Sequence, residues 1–451
     1  MAKTIKSHPL SAIDGRRVWL RAQRLDAEAP FGAGPQATKA VVEHLGYVQI
    51  DTINVIERSH HHVLWTRIPE YRRADLRQAQ STDKSVFEYW THALSYVPTR
   101  DIRFFIPAMR LHKREGHKWF SSVTPADMRK VMKLIRRGPL TIRDIDDDVL
   151  TEKQHLWASR KPSKRALQLA FYEGVLTISE RAGMLKTYDL MPRHFGWDKP
   201  PSPASAREIT AYLLDRALRA QGIVSLDSVC HLDAPSKPAV RRLIEARVRE
   251  GELVPVALEG AGKQEHWAQP ETLDKVSGGT EQVHILSPFD PLVIQRKRTE
   301  LFFGYGHRFE AYVPREKRLF GYFALPVLVG DEIVAAIDLK TDRQNRKVLL
   351  QKWSWVGSAA KAGRKDFKRR IEEELQRFER FQLAEEPPLK VDDDAVTDMP
   401  LAAAGMTSDP LMPPAALAPV RRKKSAAKRT ASEASRKKPA GKATKKSRAT
   451  E

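Results

Sequence analysis

The strongest constraint in this sequence is a repeated punctuation. Gly138-Pro-Leu-Thr-Ile-Arg-Asp-Ile145 is matched by Gly222-Ile-Val-Ser-Leu-Asp-Ser-Val229. Each has a glycine, a short apolar strand, and then Thr141 or Ser225 where a side-chain oxygen can cap a helix. A basic helix is predicted after each, over residues 163–173 and 237–250. Both stop at Glu-Gly-x-Leu, as Glu173-Gly174-Val175-Leu176 and Glu250-Gly251-Glu252-Leu253, where the glycine suits a left-handed helix end. In front of the second copy, Ile209, Tyr212, Leu213, Ala217 and Leu218 form a helical apolar stripe. Helix, short strand, helix, basic helix and two-stranded wing is the order of a winged helix-turn-helix. Other small helical modules share parts of it, but two copies with matching stops favour the winged form.

A third copy is expected at the N-terminus, with a helix over 38–45, Gly46 as its stop and a strand over 47–51. Aligned on the glycine, Val48 and Ile50 take the core-facing places of Leu176 and Ile178. Strand alternation then puts Gln49 and Asp51 together on the opposite face. From 283 to 356 the texture turns to strands, predicted over 309–313, 319–329, 333–339 and 347–356, with Gly330-Asp331 as a hairpin turn. Phe367, Ile371, Leu375 and Phe378 mark one face of a closing helix. The expected fold class is α+β, with three tandem winged helix-turn-helix modules over 1–120, 121–198 and 199–280. A small β-barrel-like domain with its closing helix follows over 281–384, and a disordered linker and basic tail over 385–451.

The charge bears on partners. The 451 residues carry 78 Lys+Arg against 56 Asp+Glu, a net +22, and thirteen of the basic residues with two Glu lie in Val420–Glu451. That tail has no aromatic residue and cannot form a core. The rest keeps half of the excess, so nucleic acid is the first partner to consider. The longest apolar run, 321–330, is too short for a bilayer and the N-terminus has no apolar leader, so no membrane is expected. A single cysteine, Cys230, excludes internal disulfides and Cys-rich zinc sites, and fits a reducing cytoplasm.

The segment from Val48 to Arg67 joins polar residues on a strand edge to a His-rich, aromatic, basic stretch. With Gln49-Ile50-Asp51, Phe171–Ile178, Leu286-Ser-Pro-Phe-Asp290 and Arg318–Pro326, it resembles the YcaQ-like (AlkX) winged-helix DNA glycosylases, relatives of AlkZ that repair interstrand crosslinks. The resemblance covers about residues 10–380 and leaves the tail outside. It implies a DNA-associated monofunctional glycosylase that hydrolyses the N-glycosidic bond of N7-alkylated purines, crosslinked ones included. Double-stranded DNA would be its partner, the chain would act as a monomer, and no cofactor or metal would be needed. Gln49 and Asp51 take the catalytic places: Gln49 holds a water, and Asp51 accepts its proton or faces the cationic sugar. A crosslinked guanine is tethered to the opposite strand, so the pair is expected in an open cleft.

Alternatives stand beside each assignment. Gln49 and Asp51 could merely satisfy backbone groups or an arginine, and the chain could be a non-catalytic winged-helix regulator. His60, His61 and His62 are expected at a hairpin tip touching duplex, with Trp65 as packing and Arg67 near phosphate; adjacent histidines point apart, which disfavours a metal. Lys161, Lys164 and Arg165 could meet phosphates at a helix N-terminus or form a solvated face. Asp290 and Arg296-Lys297-Arg298 read as an internal ion pair before a phosphate edge.

Overall fold

The computed structural model describes residues 6–116, 118–147, 150–152, 159–274, 278–361 and 364–385. Contacts gather Met1–Pro419 into one compact unit and leave Val420–Glu451 as a second, which lies outside the described residues together with the linker from 386 onward. The described fold mixes α and β. One order of elements recurs three times: a helix, a short strand, one or two helices, then a hairpin whose second strand takes up the short one or a bridge to it.

In the first repeat, helix Gly34–Leu45 ends at Gly46 (φ 79°) and strand Val48–Gln49 follows. Helices Ser59–Trp65 and Arg73–Arg77 come next, then hairpin Val86–Trp90 and Leu94–Pro98. Leu94–Pro98 pairs with both its hairpin partner and the short strand. The second repeat runs from Pro125–Ile135 through a Leu140–Tyr188 bridge and helix Pro162–Tyr172 to hairpin Leu176–Ala182 and Leu185–Leu190. The third runs from Ala206–Gln221 through Ile223–Val224, Leu226–Val229 and Lys237–Arg249 to hairpin Val254–Leu258 and His266–Ala268.

The local punctuation works by side-chain hydrogen bonding. Thr141 and Ser225 both cap a turn of helix, accepting backbone N–H bonds from Arg143 and Ser228. Gly174 and Gly251 take left-handed backbone at φ 68° and 79°. Gly46 differs from the expected alignment. It ends the first helix of its repeat, as Gly222 does, and not the basic helix as Gly174 and Gly251 do. Val48–Gln49 is therefore the short strand, and the hairpin of that repeat lies some forty residues on. A side chain at Gly46 would be strained by its φ and would run into Arg216.

The C-terminal part corrects an expectation. Its sheet is an open antiparallel meander of Val283–Ile285, Ala324–Val329, Glu332–Asp342 and Lys347–Trp355, with no closed barrel among the described residues. Residues 309–313 and 319–323, expected as strands, form a loop. The Glu310 carboxylate accepts from the amides of Leu319, Phe320 and Gly321, and Asp338 accepts from Tyr322 and Phe323. Those donors are thereby withheld from any closing strand. Helix Arg364–Leu383 covers one face instead, burying Ile371, Phe378 and Phe381. Strand His8–Leu10 pairs in parallel with Val254–Leu258 of the third repeat.

Two buried ion pairs tie these parts together. Arg67 is fully buried and meets both oxygens of Asp290, at 2.8 and 3.1 Å, while donating to Gln23 and to the Val63 carbonyl. Glu88 of the first hairpin pairs with Arg181 of the second repeat and also accepts from Gln80. Arg298 is buried against the rings of Trp19 and Phe302 and donates to the Ile223 carbonyl at 2.7 Å. Asp290 and Arg298 are thus internal.

Candidate functional site

Several residues first assigned to DNA lie in the core. Ser59–Trp65 is a helix, not a hairpin tip, and it is wedged between the short strand and the C-terminal helix. Ser59 Oγ donates to the Gln49 carbonyl at 3.1 Å on one side, and Trp65 stacks on Phe381 at 5.1 Å on the other. His62 Nε2 donates to the Ile285 carbonyl at 2.7 Å, and His61 Nδ1 lies 2.7 Å from the Tyr71 hydroxyl. Burial pushes all three imidazoles below their ordinary range, so they are neutral rings of the interior. His60, His62, Trp65 and Arg67 have no surface with which to touch a duplex, and His61 is turned inward to Tyr71. Arg165, on helix Pro162–Tyr172, is buried as well, whereas Lys161 and Lys164 at the N-terminal end of that helix are exposed.

Gln49 and Asp51 sit where the first repeat's short strand leaves its sheet. Val48 pairs with Tyr96, Gln49 with Ser95, and the Ile50 amide donates to the Leu94 carbonyl at 2.8 Å. Val48 and Ile50 fill the core, and alternation within the strand turns Gln49 to the other side. Past Ile50 the chain bends in an Asx-turn, the Ile53 amide donating to Asp51 Oδ2 at 2.9 Å. Burial pushes the Asp51 carboxyl up to about 6, against the opposing pull of the Ile53 and Thr52 amides and the Arg58 charge. A carboxylate at about 6 is a workable proton acceptor at neutral pH. The half-exposed Tyr312, on the loop clasped by Glu310, feels the Asp51 charge, which adds to burial in raising its phenol.

Gln49 is less open than the tethering argument requires, with 9% of its surface exposed. Its cover is the hairpin tip Thr91–Ala93, where His92 Nε2 lies 3.0 Å from Gln49 Oε1. An amide oxygen only accepts, so that ring nitrogen carries the proton. Tyr47 meets the His92 ring edge-on at 5.0 Å, and His231 lies 5.4 Å away. Burial, His231 and Arg216 push His92 down to about 3, so the ring is neutral. Behind it lies a cavity of about 50 Å³ walled in part by Tyr47, Arg216, Gln221, His231 and Asp233. Among the described residues, Arg216 Nη1, Gln221 Oε1 and Asp233 Oδ1 have no hydrogen-bond partner. His92 and Tyr312 were missed in the sequence because neither stands in a motif and both reach the site only through tertiary folding.

Among the described residues, no helix is long and apolar enough to cross a membrane. Residues 42–381 match the family described as DNA glycosylase AlkZ-like, a span that holds Gln49, Asp51, His92 and nearly all of the C-terminal helix. Among solved structures, the fold is similar to that of Streptomyces sahachiroi DNA glycosylase AlkZ, at a TM-score of 0.54 and 16% identity, covering 82% of this chain and 97% of that one. A family match over three-quarters of the sequence and a shared fold converge. The chain belongs to the AlkZ-like DNA glycosylase family and is a DNA-binding enzyme of DNA repair.

Proposed function

We propose that this glycosylase is monofunctional and hydrolyses the N-glycosidic bond of N7-alkylated purines, including those joined in interstrand crosslinks. The reading is carried by Asp51, a partly buried carboxylate held up to about 6 at the end of the strand that presents Gln49. An N7-alkylated purine is cationic and already a good leaving group, so the enzyme need not protonate it. The remaining tasks are to face the oxocarbenium charge and to deliver water. Asp51 does the first by its charge and the second by accepting the water's proton, while the Gln49 amide holds the water. General-base help of this kind is worth roughly 10²–10⁴-fold in rate.

The three repeats are read as winged helices, each with a helix and a hairpin for the duplex, and the protein works as a monomer on cytoplasmic DNA. Lys161 and Lys164 are exposed at the start of helix Pro162–Tyr172, and their exposure and charge support a role in meeting phosphates. The test is incubation of the full chain with duplexes carrying one N7-methylguanine or one N7-linked crosslink, with abasic product as the readout. Both duplexes should yield it, and Asp51→Asn should slow single-turnover excision by roughly 10²–10⁴-fold with little change in DNA affinity. Full excision by Asp51→Asn, or intact DNA with the wild-type chain, would refute the reading.

A further inference from the structure

We infer that His92 is the positioning residue that locks the Gln49 amide with its nitrogen, and not its oxygen, turned toward the reacting centre; this rests on the roles given above to Gln49 and Asp51. The hairpin does two things to Gln49 at once. Its strand Leu94–Pro98 pairs Ser95 with Gln49 and so fixes the backbone, and its tip carries His92, whose Nε2–H donates to Gln49 Oε1 at 3.0 Å. The ring has little freedom to release that bond. Tyr47 meets it edge-on at 5.0 Å, His231 lies at 5.4 Å, and Thr91 Oγ1 is 3.4 Å from its other nitrogen.

The chemistry follows from which end of the amide is occupied. With Oε1 turned to His92, Gln49 presents its N–H donors on the other side, toward a water. A donor to the water oxygen engages one lone pair, leaves the other for the sugar carbon, and lets a water proton point to Asp51. A flipped amide would present an oxygen instead, competing with Asp51 for that proton and turning the lone pairs away. His92 thus acts through Gln49 and touches neither water nor DNA, so its removal should leave lesion binding intact and damage only the chemical step.

A double-mutant cycle on the full chain tests this, read as single-turnover excision of N7-methylguanine from duplex DNA. His92→Phe keeps the ring packing and removes the donor; it should slow excision roughly 10- to 100-fold, the scale on which a misoriented group fails. His92→Gln, whose amide nitrogen reaches the same place, should recover most of the rate, and the shorter His92→Asn should not. In a Gln49→Ala background, His92→Phe should cost less than about threefold, because coupled residues are not additive. Equal losses from His92→Phe in both backgrounds would show a merely structural ring and overturn the inference. A wild-type rate in His92→Phe or His92→Asn, alongside a slow Gln49→Ala, would overturn it while leaving the site reading intact. A wild-type rate in Gln49→Ala would overturn both.

Discussion

At Asp51 a carboxyl with an ordinary value of 3.8 is held up to about 6, because burial outweighs two backbone amides and the charge of Arg58. The native state therefore holds this proton more tightly than the unfolded chain does. Between those two values falling pH favours the fold through this group, and above about 6 the full penalty of the buried charge is present. Two units convert to roughly 3 kcal/mol, which partial solvent screening reduces to about 1–2 kcal/mol. Asp51→Asn should accordingly raise thermal stability at pH 7.5, as read by calorimetry, with the gain fading by about pH 4. The same titration governs the reaction: single-turnover excision should fall as pH drops through about 6, where the base becomes protonated. A rate flat between pH 5 and 8 would exclude Asp51 as the base.

Among the elements, the loop clasped by Glu310 gives the cleanest test. Three amides converge on one carboxylate, so Glu310→Ala should speed hydrogen exchange at Leu319, Phe320 and Gly321 by at least about tenfold, each amide losing a charge-assisted bond. Unchanged protection would mean that the loop is held by packing alone. This clasp also shows where sequence reading reaches its limit. Caps at Thr141 and Ser225 and left-handed stops at Gly174 and Gly251 are local, resting on residues within one turn, and they were legible. The loop is not local, because Glu310 meets donors nine to eleven residues on, and the apolar pattern over 319–323 looks the same in a strand. Gly46 misled for a related reason: a glycine after a helix signals a stop without saying which helix of the repeat has ended. The histidines of Ser59–Trp65 read as polar and exposed, yet a neutral imidazole can be buried, His61 and His62 each with one hydrogen-bond partner. The spacing of Gln49 and Asp51 is a local feature that a sequence displays; the contact of Gln49 with His92, 43 residues away, is not.

For the whole molecule, the tail and the buried pairs set different properties. Deleting Val420–Glu451 removes thirteen basic residues, so binding to undamaged duplex should weaken and its salt dependence flatten by about 0.9 log units per lost phosphate contact per decade of salt. Single-turnover excision at saturating enzyme should persist; identical salt slopes would show that the tail does not engage DNA. Inside the fold, Arg67→Ala leaves Asp290 charged and dry, and should lower stability by about 3–5 kcal/mol in urea unfolding. That pair joins residues 223 positions apart, and His8–Leu10 waits even longer in sequence for its partner strand. During synthesis, then, the first repeat emerges with an arginine it cannot yet bury and a terminal strand it cannot yet dock. It must stay loose on the ribosome until nearly two-thirds of the chain has been made. A chain stopped before Asp290 should be cut by trypsin at Arg67, where the full-length protein resists.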